Sequence, residues 1–150
     1  MKDIKRYLVV ASAMLFILTG CATDVHVDAT SEPTGLVQAD KLAVLWTSGD
    51  AEVAHKVCFM YTHNAKRLDW FDQVQLIVWG PSSKLLSEDQ SLQDAVKSMI
   101  SDGIDVKACK ACTDSYGVSD KLMSLGINVR YMGAPLTNIL KSSDWKVLTF

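Results

Sequence analysis

The sequence predicts an α/β fold, a mostly parallel five-stranded sheet covered on both faces by helices. Three observations lead there. Between Lys41 and Phe150 lie five short apolar runs of strand length. The segments between them place apolar residues at helical spacing. Glycine, proline or small polar turns divide each run from the next. Strands that alternate with helices form βαβ units with right-handed crossovers, and such units lay their strands parallel.

The elements follow in order. Lys41–Trp46 (KLAVLW) is the first strand, and Ser48-Gly49-Asp50 marks the start of a helix. That helix sets Ala54, Val57, Cys58, Tyr61 and Ala65 on one buried stripe. Gln73–Trp79 is the second strand, closed by Gly80-Pro81. Ser87 and Gln90 fit a capping box before a helix with Leu92, Ala95, Val96, Met99 and Ile100 inward, stopped at Gly103. Asp105–Cys109 is the third strand; a helix with Val118, Leu122 and Leu125 follows and ends at Gly126. Ile127–Met132 is the fourth strand. Pro135 suits the first position of a helix that buries Leu136, Ile139 and Leu140. Trp145–Leu148 closes the sheet.

The chain has 150 residues, 21% of them charged, and a net charge of −2. That length suits one domain with its own core. The balance of charge lacks the clustered basic surface of a nucleic-acid module, so no nucleic acid is expected as partner. Four cysteines are too few for a disulfide-stapled miniprotein.

The first residues are of another kind. Lys2, Lys5 and Arg6 precede an apolar run from Tyr7 to Leu18, a basic segment and then a core too short to span a bilayer comfortably. Leu18-Thr19-Gly20-Cys21 resembles the bacterial lipobox, in which the cysteine is lipidated and becomes the mature N-terminus. Residues 1–20 are therefore expected to be a lipoprotein signal peptide. Residues 21–40, polar and small with Pro33 and Gly35, are read as the lipidated Cys21 and a flexible tether, and 41–150 as the folded domain. Several acyl chains at about 0.8 kcal/mol per buried CH₂ would anchor that domain to a membrane. The alternative is an uncleaved membrane helix with an incidental cysteine. Ala22, in place of an aspartate after the cysteine, favours the outer membrane facing the periplasm in a Gram-negative cell. Removing residues 1–20 takes three basic residues and one acidic one from totals of 15 and 17, which leaves a net charge of −4.

In a parallel sheet, ligands bind beyond the carboxyl ends of the strands. Four loops lie there: Thr47–Asp50, Gly80–Ser83, Cys109–Thr113 and Gly133–Pro135. Ser48, Gly49, Asp50, Gly80 and Gly133 are the candidate ligand-binding residues, although Ser48 or Asp50 could equally cap the helix. The chain contains neither G-x-G-x-x-G nor a P-loop, and no cofactor is expected. The third loop holds Cys109-Lys110-Ala111-Cys112, a C-x-x-C between a strand and a helix. Helix-start N–H groups with Lys107 and Lys110, partly opposed by Asp114, are expected to lower a thiol there below about 8.5. Such an accessible thiolate attacks sulfur, and a second thiol three residues on resolves the product. The alternative is a passive structural disulfide, which an export compartment permits.

The stretches LAVLWTSGD, LIVWGPS, GIDVKACKACTDSYGVSDKL, LGINVRYMG and PLT span essentially all of 41–150 and resemble the DsrE/DsrF-like proteins, in particular a short uncharacterised subgroup. The resemblance implies a three-layer α/β/α sandwich and assembly into trimers or hexamers. It also implies a persulfide-bearing cysteine at the end of the third strand, where Cys109 with Gly117-Val118 matches at the family's spacing. Cys112 lies outside the sulfur-carrier pattern and fits the short subgroup. A sulfur-donor or redox partner protein would then be implied.

His55, Cys58, Cys109 and Cys112 form an acceptable zinc set by residue type, but Cys58 falls on the buried stripe, and no metal is assigned. Of the four tryptophans, Trp46, Trp79 and Trp145 sit in strands and suit the core, while the Trp70-Phe71 pair in a connection could make an exposed oligomer contact. No Ser-His-Asp order, paired carboxylates or H-E-x-x-H supports a hydrolase. The reading is thus an exported, lipid-anchored protein with thiol-based sulfur or redox chemistry at Cys109 and Cys112. A non-catalytic assembly module is the alternative.

Overall fold

The computed structural model describes residues 40–150. The expected signal peptide, Cys21 and the tether up to residue 39 lie outside the described residues. Five strands, β1 (Lys41–Trp46), β2 (Gln73–Val78), β3 (Asp105–Cys109), β4 (Asn128–Arg130) and β5 (Trp145–Thr149), form one sheet in the order β4-β3-β2-β1-β5. Every pairing is parallel, with Lys41 opposite both Gln73 and Trp145, Gln75 opposite Asp105 and Lys107 opposite Asn128. The helical elements are α1 (Ala51–Val53), a π-helical segment (Ala54–Phe59), α2 (Met60–Arg67), α3 (Pro81–Glu88) and α4 (Gln90–Ser101). Beyond β3 come α5 (Lys110–Ser115), α6 (Ser119–Ser124) and α7 (Gly133–Lys141).

Topology decides where the helices go. From β1 to β4 the chain steps across the sheet in one direction, so right-handed crossovers put every intervening helix on the same face. Only the return from β4 to β5, at the far edge, runs the other way and places α7 on the opposite face. The main core accordingly joins Leu42, Val44, Trp46, Leu76, Val78, Val106 and Ala108 to side chains of the π segment, α2, α3, α4 and α6. Trp46 is fully buried and meets Phe59 edge-on, with ring centroids 4.9 Å apart. The second cluster is smaller: Ala43, Ile77 and Cys109 of the sheet against Met132 and Ile139.

Several local expectations are corrected. The chain after Gly80 is a helix rather than a loop, with Pro81 at its start, where a missing N–H costs nothing. The Ser87–Gln90 capping box does not form, because α3 still runs through Ser87, whose hydroxyl donates to the Lys84 carbonyl. Asp89 breaks the run in extended conformation and caps α4 by accepting from the Leu92 amide at 3.0 Å. Pro135 is the third residue of α7, not its first. The helical stretch expected around Val118 is two short helices, parted at Gly117 (φ 68°). Leu140 faces solvent, and Val57 leaves the buried stripe because the wider π turn advances each residue by less than 100°.

Candidate thiol site

Strand alternation delivers Cys109. Lys107 and Cys109 point to the face that α7 covers, while Val106 and Ala108 enter the main core. Cys109 then takes an extended conformation (φ −69°, ψ 109°) and the chain turns into α5, which carries Cys112 around one turn and back beside it. The two side chains are neighbours, and interaction with Cys109 helps hold the proton on Cys112. Both are free thiols.

Their exposure differs from the expectation of an open Cys109. Cys109 is only 4% exposed, within the cluster of Ile77, Met132 and Ile139, and Leu136 and Trp79 pack at its margin. Cys112 is half-buried and is the sulfur that solvent reaches. The reason is parity: the last residue of β3 faces α7, so the C-terminal edge of the strand is covered there.

The electrostatics also differ. Lys110 turns to Asp114, with Nζ at 2.9 and 2.8 Å from the two carboxylate oxygens, and lies over the Tyr131 ring. Lys107 pairs with Asp105 at 2.7 Å and donates to Gln75 at 3.0 Å. Each lysine expected to lower a thiol pKa thus already holds a carboxylate. The Cys112 thiol is pushed up to about 11, first by burial and then by the hydrogen bond to Cys109; the Gly80 amide, which donates to its sulfur, pulls the other way. Cys112 therefore keeps its proton at neutral pH.

Gly80 earns its place by conformation. Its φ of 69° lies in the left-handed region, and that turn aims its N–H at Cys112. Ser82 secures the turn: its Oγ accepts from the Trp79 amide at 3.0 Å and donates to the Trp46 carbonyl at 2.7 Å, tying the ends of β1 and β2. Sequence reading missed Ser82; the signal was a serine following Gly-Pro, inside a helix mistaken for a loop.

The other loop candidates are placed as follows. Gly49 lines a cleft of about 270 Å³ with Pro81, Lys84, Leu85, Glu88 and Tyr116, at the carboxyl edge of the sheet. Ser48 Oγ accepts from the Asp50 amide, and Asp50 caps α1 by accepting from Glu52 and Val53 at 2.7 and 3.2 Å. The Thr47 and Ser48 amides, with the Thr47 hydroxyl, all donate to the Phe150 carbonyl. The Thr47, Ser48 and Asp50 amides of that loop are thus engaged within the chain. Gly133 opens α7, behind Cys109, and its carbonyl accepts from Thr137.

The residues considered for zinc are not brought together. Cys58 lies in the main core and Cys109 in the cluster on the opposite face. Burial pushes the Cys58 thiol up to about 12, and His55 contacts Ser91 instead, at 3.2 Å. Among the described residues no three His, Cys, Asp or Glu side chains are grouped to hold a metal ion. His63 finds a partner in Asp102 at 2.5 Å.

No protein-family model matches the chain, and no curated protein does. Solved structures do. A conserved protein of unknown function from Bacteroides thetaiotaomicron, BT1422, is 38% identical with a TM-score of 0.71, over 74% of this chain and 95% of that one. The ychN protein from E. coli aligns with a TM-score of 0.56 at 17% identity, over 75% of this chain and 100% of its own, which shows a shared fold. The five-stranded all-parallel sheet flanked by helices is that of the YchN, or DsrE-like, fold. The chain belongs to the protein family of BT1422, built on the DsrE-like fold.

Proposed function

We propose that the protein handles sulfur through Cys109 and Cys112, as an exported lipoprotein of the cell envelope. The observation that supports this most is the pair of free thiols, Cys109 and Cys112, set one helical turn apart at the carboxyl end of an interior strand. Cys109 takes the role of nucleophile from its place at the strand end, and Cys112, one helical turn on, that of the resolving thiol. Cys109 attacks the outer sulfur of a hydropersulfide, RSSH; a new S–S bond forms, and RS⁻ leaves and is protonated to RSH. Cys112, after giving up its proton, attacks the Cys109 sulfur and expels hydrosulfide. The sum is RSSH plus two thiols giving RSH, H₂S and a Cys109–Cys112 disulfide: the sulfane sulfur is reduced and the dithiol oxidised. Transfer of the outer sulfur to a partner protein before that second step makes the chain a carrier instead.

Intact-mass measurement after treatment with a hydropersulfide tests the chemistry. Cys112→Ser should gain one sulfur atom on Cys109, wild type should lose two hydrogens, and Cys109→Ser should do neither. The burial of Cys109 favours a second reading, a non-catalytic assembly module, and an unmodified Cys109 in Cys112→Ser establishes it.

Export is supported by the lipobox at Leu18–Cys21, and labelled palmitate incorporated by wild type but not by Cys21→Ser is the test. Assembly into trimers or hexamers is supported by the thin cover of the α7 face, since parallel sheets bury both faces. Light scattering on the purified protein reads the subunit number directly.

A further inference from the structure

We propose that the amino-terminal edge of the sheet carries a second binding site, for a free amino group with a carbonyl oxygen beside it, as in an amino-acid amide or the amino terminus of a peptide. The site is independent of the thiol reading, which concerns the opposite edge of the sheet. It is a cavity of about 280 Å³ whose lining includes Asp72, Gln73, Gln75, Gly103, Asp105 and Trp145. Register and strand parity assemble it. Gln75 stands opposite Asp105, and Lys41 stands opposite both Gln73 and Trp145. Gln73 and Gln75 share the face of Ile77, and Asp105 shares that of Cys109, so these residues lie on the α7 side of the sheet, at the end away from the thiols. A parallel sheet ordinarily presents apolar residues on both faces. Here β2 and β3 begin that face with Gln73, Gln75, Asp105 and Lys107.

Gln75 defines half of the ligand. It is only 4% exposed, and its Oε1 accepts from Lys107 Nζ at 3.0 Å. A lysine only donates, so this contact fixes the orientation of the amide. Nε2 is then buried with no hydrogen-bond partner among the described residues. Buried amides are normally paired, and a ligand oxygen in the cavity supplies the acceptor. The carboxylates define the other half. Lys107 holds Asp105 at 2.7 Å, Asp72 makes no ion pair among the described residues, and Lys41 is drawn to Asp144 at 3.9 Å. Two carboxylates against one cation leave a negative field, which favours an ammonium group and opposes a ligand carboxylate. An ammonium beside an uncharged carbonyl meets both demands, and Trp145 adds an apolar wall for a side chain.

Titration of the full chain in mild detergent with leucinamide, followed by tryptophan emission and calorimetry, is the test. Saturable binding is expected. Free leucine, which brings a carboxylate, and isopentylamine, which lacks the carbonyl, should each bind about tenfold more weakly. N-acetyl-leucinamide, which has no charge, should not bind. A dipeptide amide of leucine and glycine separates the two sources: binding equal to leucinamide identifies a peptide terminus, and exclusion identifies a single amino-acid amide. Asp72→Asn, at an exposed position, should weaken leucinamide about tenfold, and Gln75→Leu should erase the preference for leucinamide over isopentylamine. The ligand series on the unsubstituted chain decides the matter even if Gln75→Leu misfolds. No saturation at millimolar leucinamide overturns the proposal, and so does equal binding of the acetylated compound.

Discussion

Cys112 should be the slowest of solvent-reached cysteines to alkylate at neutral pH, despite its exposure. Its thiol is raised from 9.0 to about 11, so its thiolate fraction near pH 7 is about a hundredfold below that of an unperturbed cysteine. Timed pulses of iodoacetamide from pH 7 to pH 11, quenched and digested with trypsin, measure this directly. Cleavage after Lys107 and Lys110 puts Cys109 and Cys112 on different peptides, so each is followed by mass. The rate at Cys112 should climb about tenfold per pH unit across that range. In Cys109→Ala the hydrogen bond to the neighbouring sulfur is lost and burial remains, so the midpoint should fall to between 9.0 and about 11. A wild-type midpoint at or below 9.0 refutes the argument, because neither burial nor Cys109 would then be holding the proton.

Two further outcomes follow from the same physics. Gly80→Ala meets no atom within 4 Å of its new Cβ, so its penalty is conformational, about 1–3 kcal/mol in urea unfolding, and relief of that strain, by turning the retained N–H away from the sulfur, should raise the Cys112 midpoint further. Cys58 stays protonated in the folded chain up to about 12 while an unfolded thiol ionises near 9.0. Its contribution is therefore intact below pH 9.0 and is lost as pH rises toward 12, about 4 kcal/mol in all. Cys58→Ala should remove most of that alkaline loss relative to wild type, and an unchanged pH profile of urea stability would contradict the assignment.

Much of this molecule is written in short-range pattern. Short apolar runs mark all five strands, and β1 and β3 begin and end where the pattern places them. Leu92, Val96 and Met99 repeat at helical spacing and are fully buried. The nearness of Cys109 to Cys112 also follows from sequence, because three residues at the start of a helix make one turn. Other features escaped because equally good local signals competed. Ser87 with Gln90 looks like a cap, yet Pro81 had already begun a helix that runs through it. Val57 has the spacing of a core residue, and one wider turn exposes it.

The sequence alone determined the fold class, the strand order of its elements along the chain and the pairing of two thiols at a strand end, because each depends on neighbours a few residues away. Tertiary structure decided which thiol meets solvent, since that depends on the handedness of crossovers that leave α7 alone on the Cys109 face. The local charge, by contrast, is again set by near neighbours in sequence. Lys110 is drawn to Asp114 and Lys107 to Asp105, so the cations nearest the site in sequence are not the field the sulfurs experience.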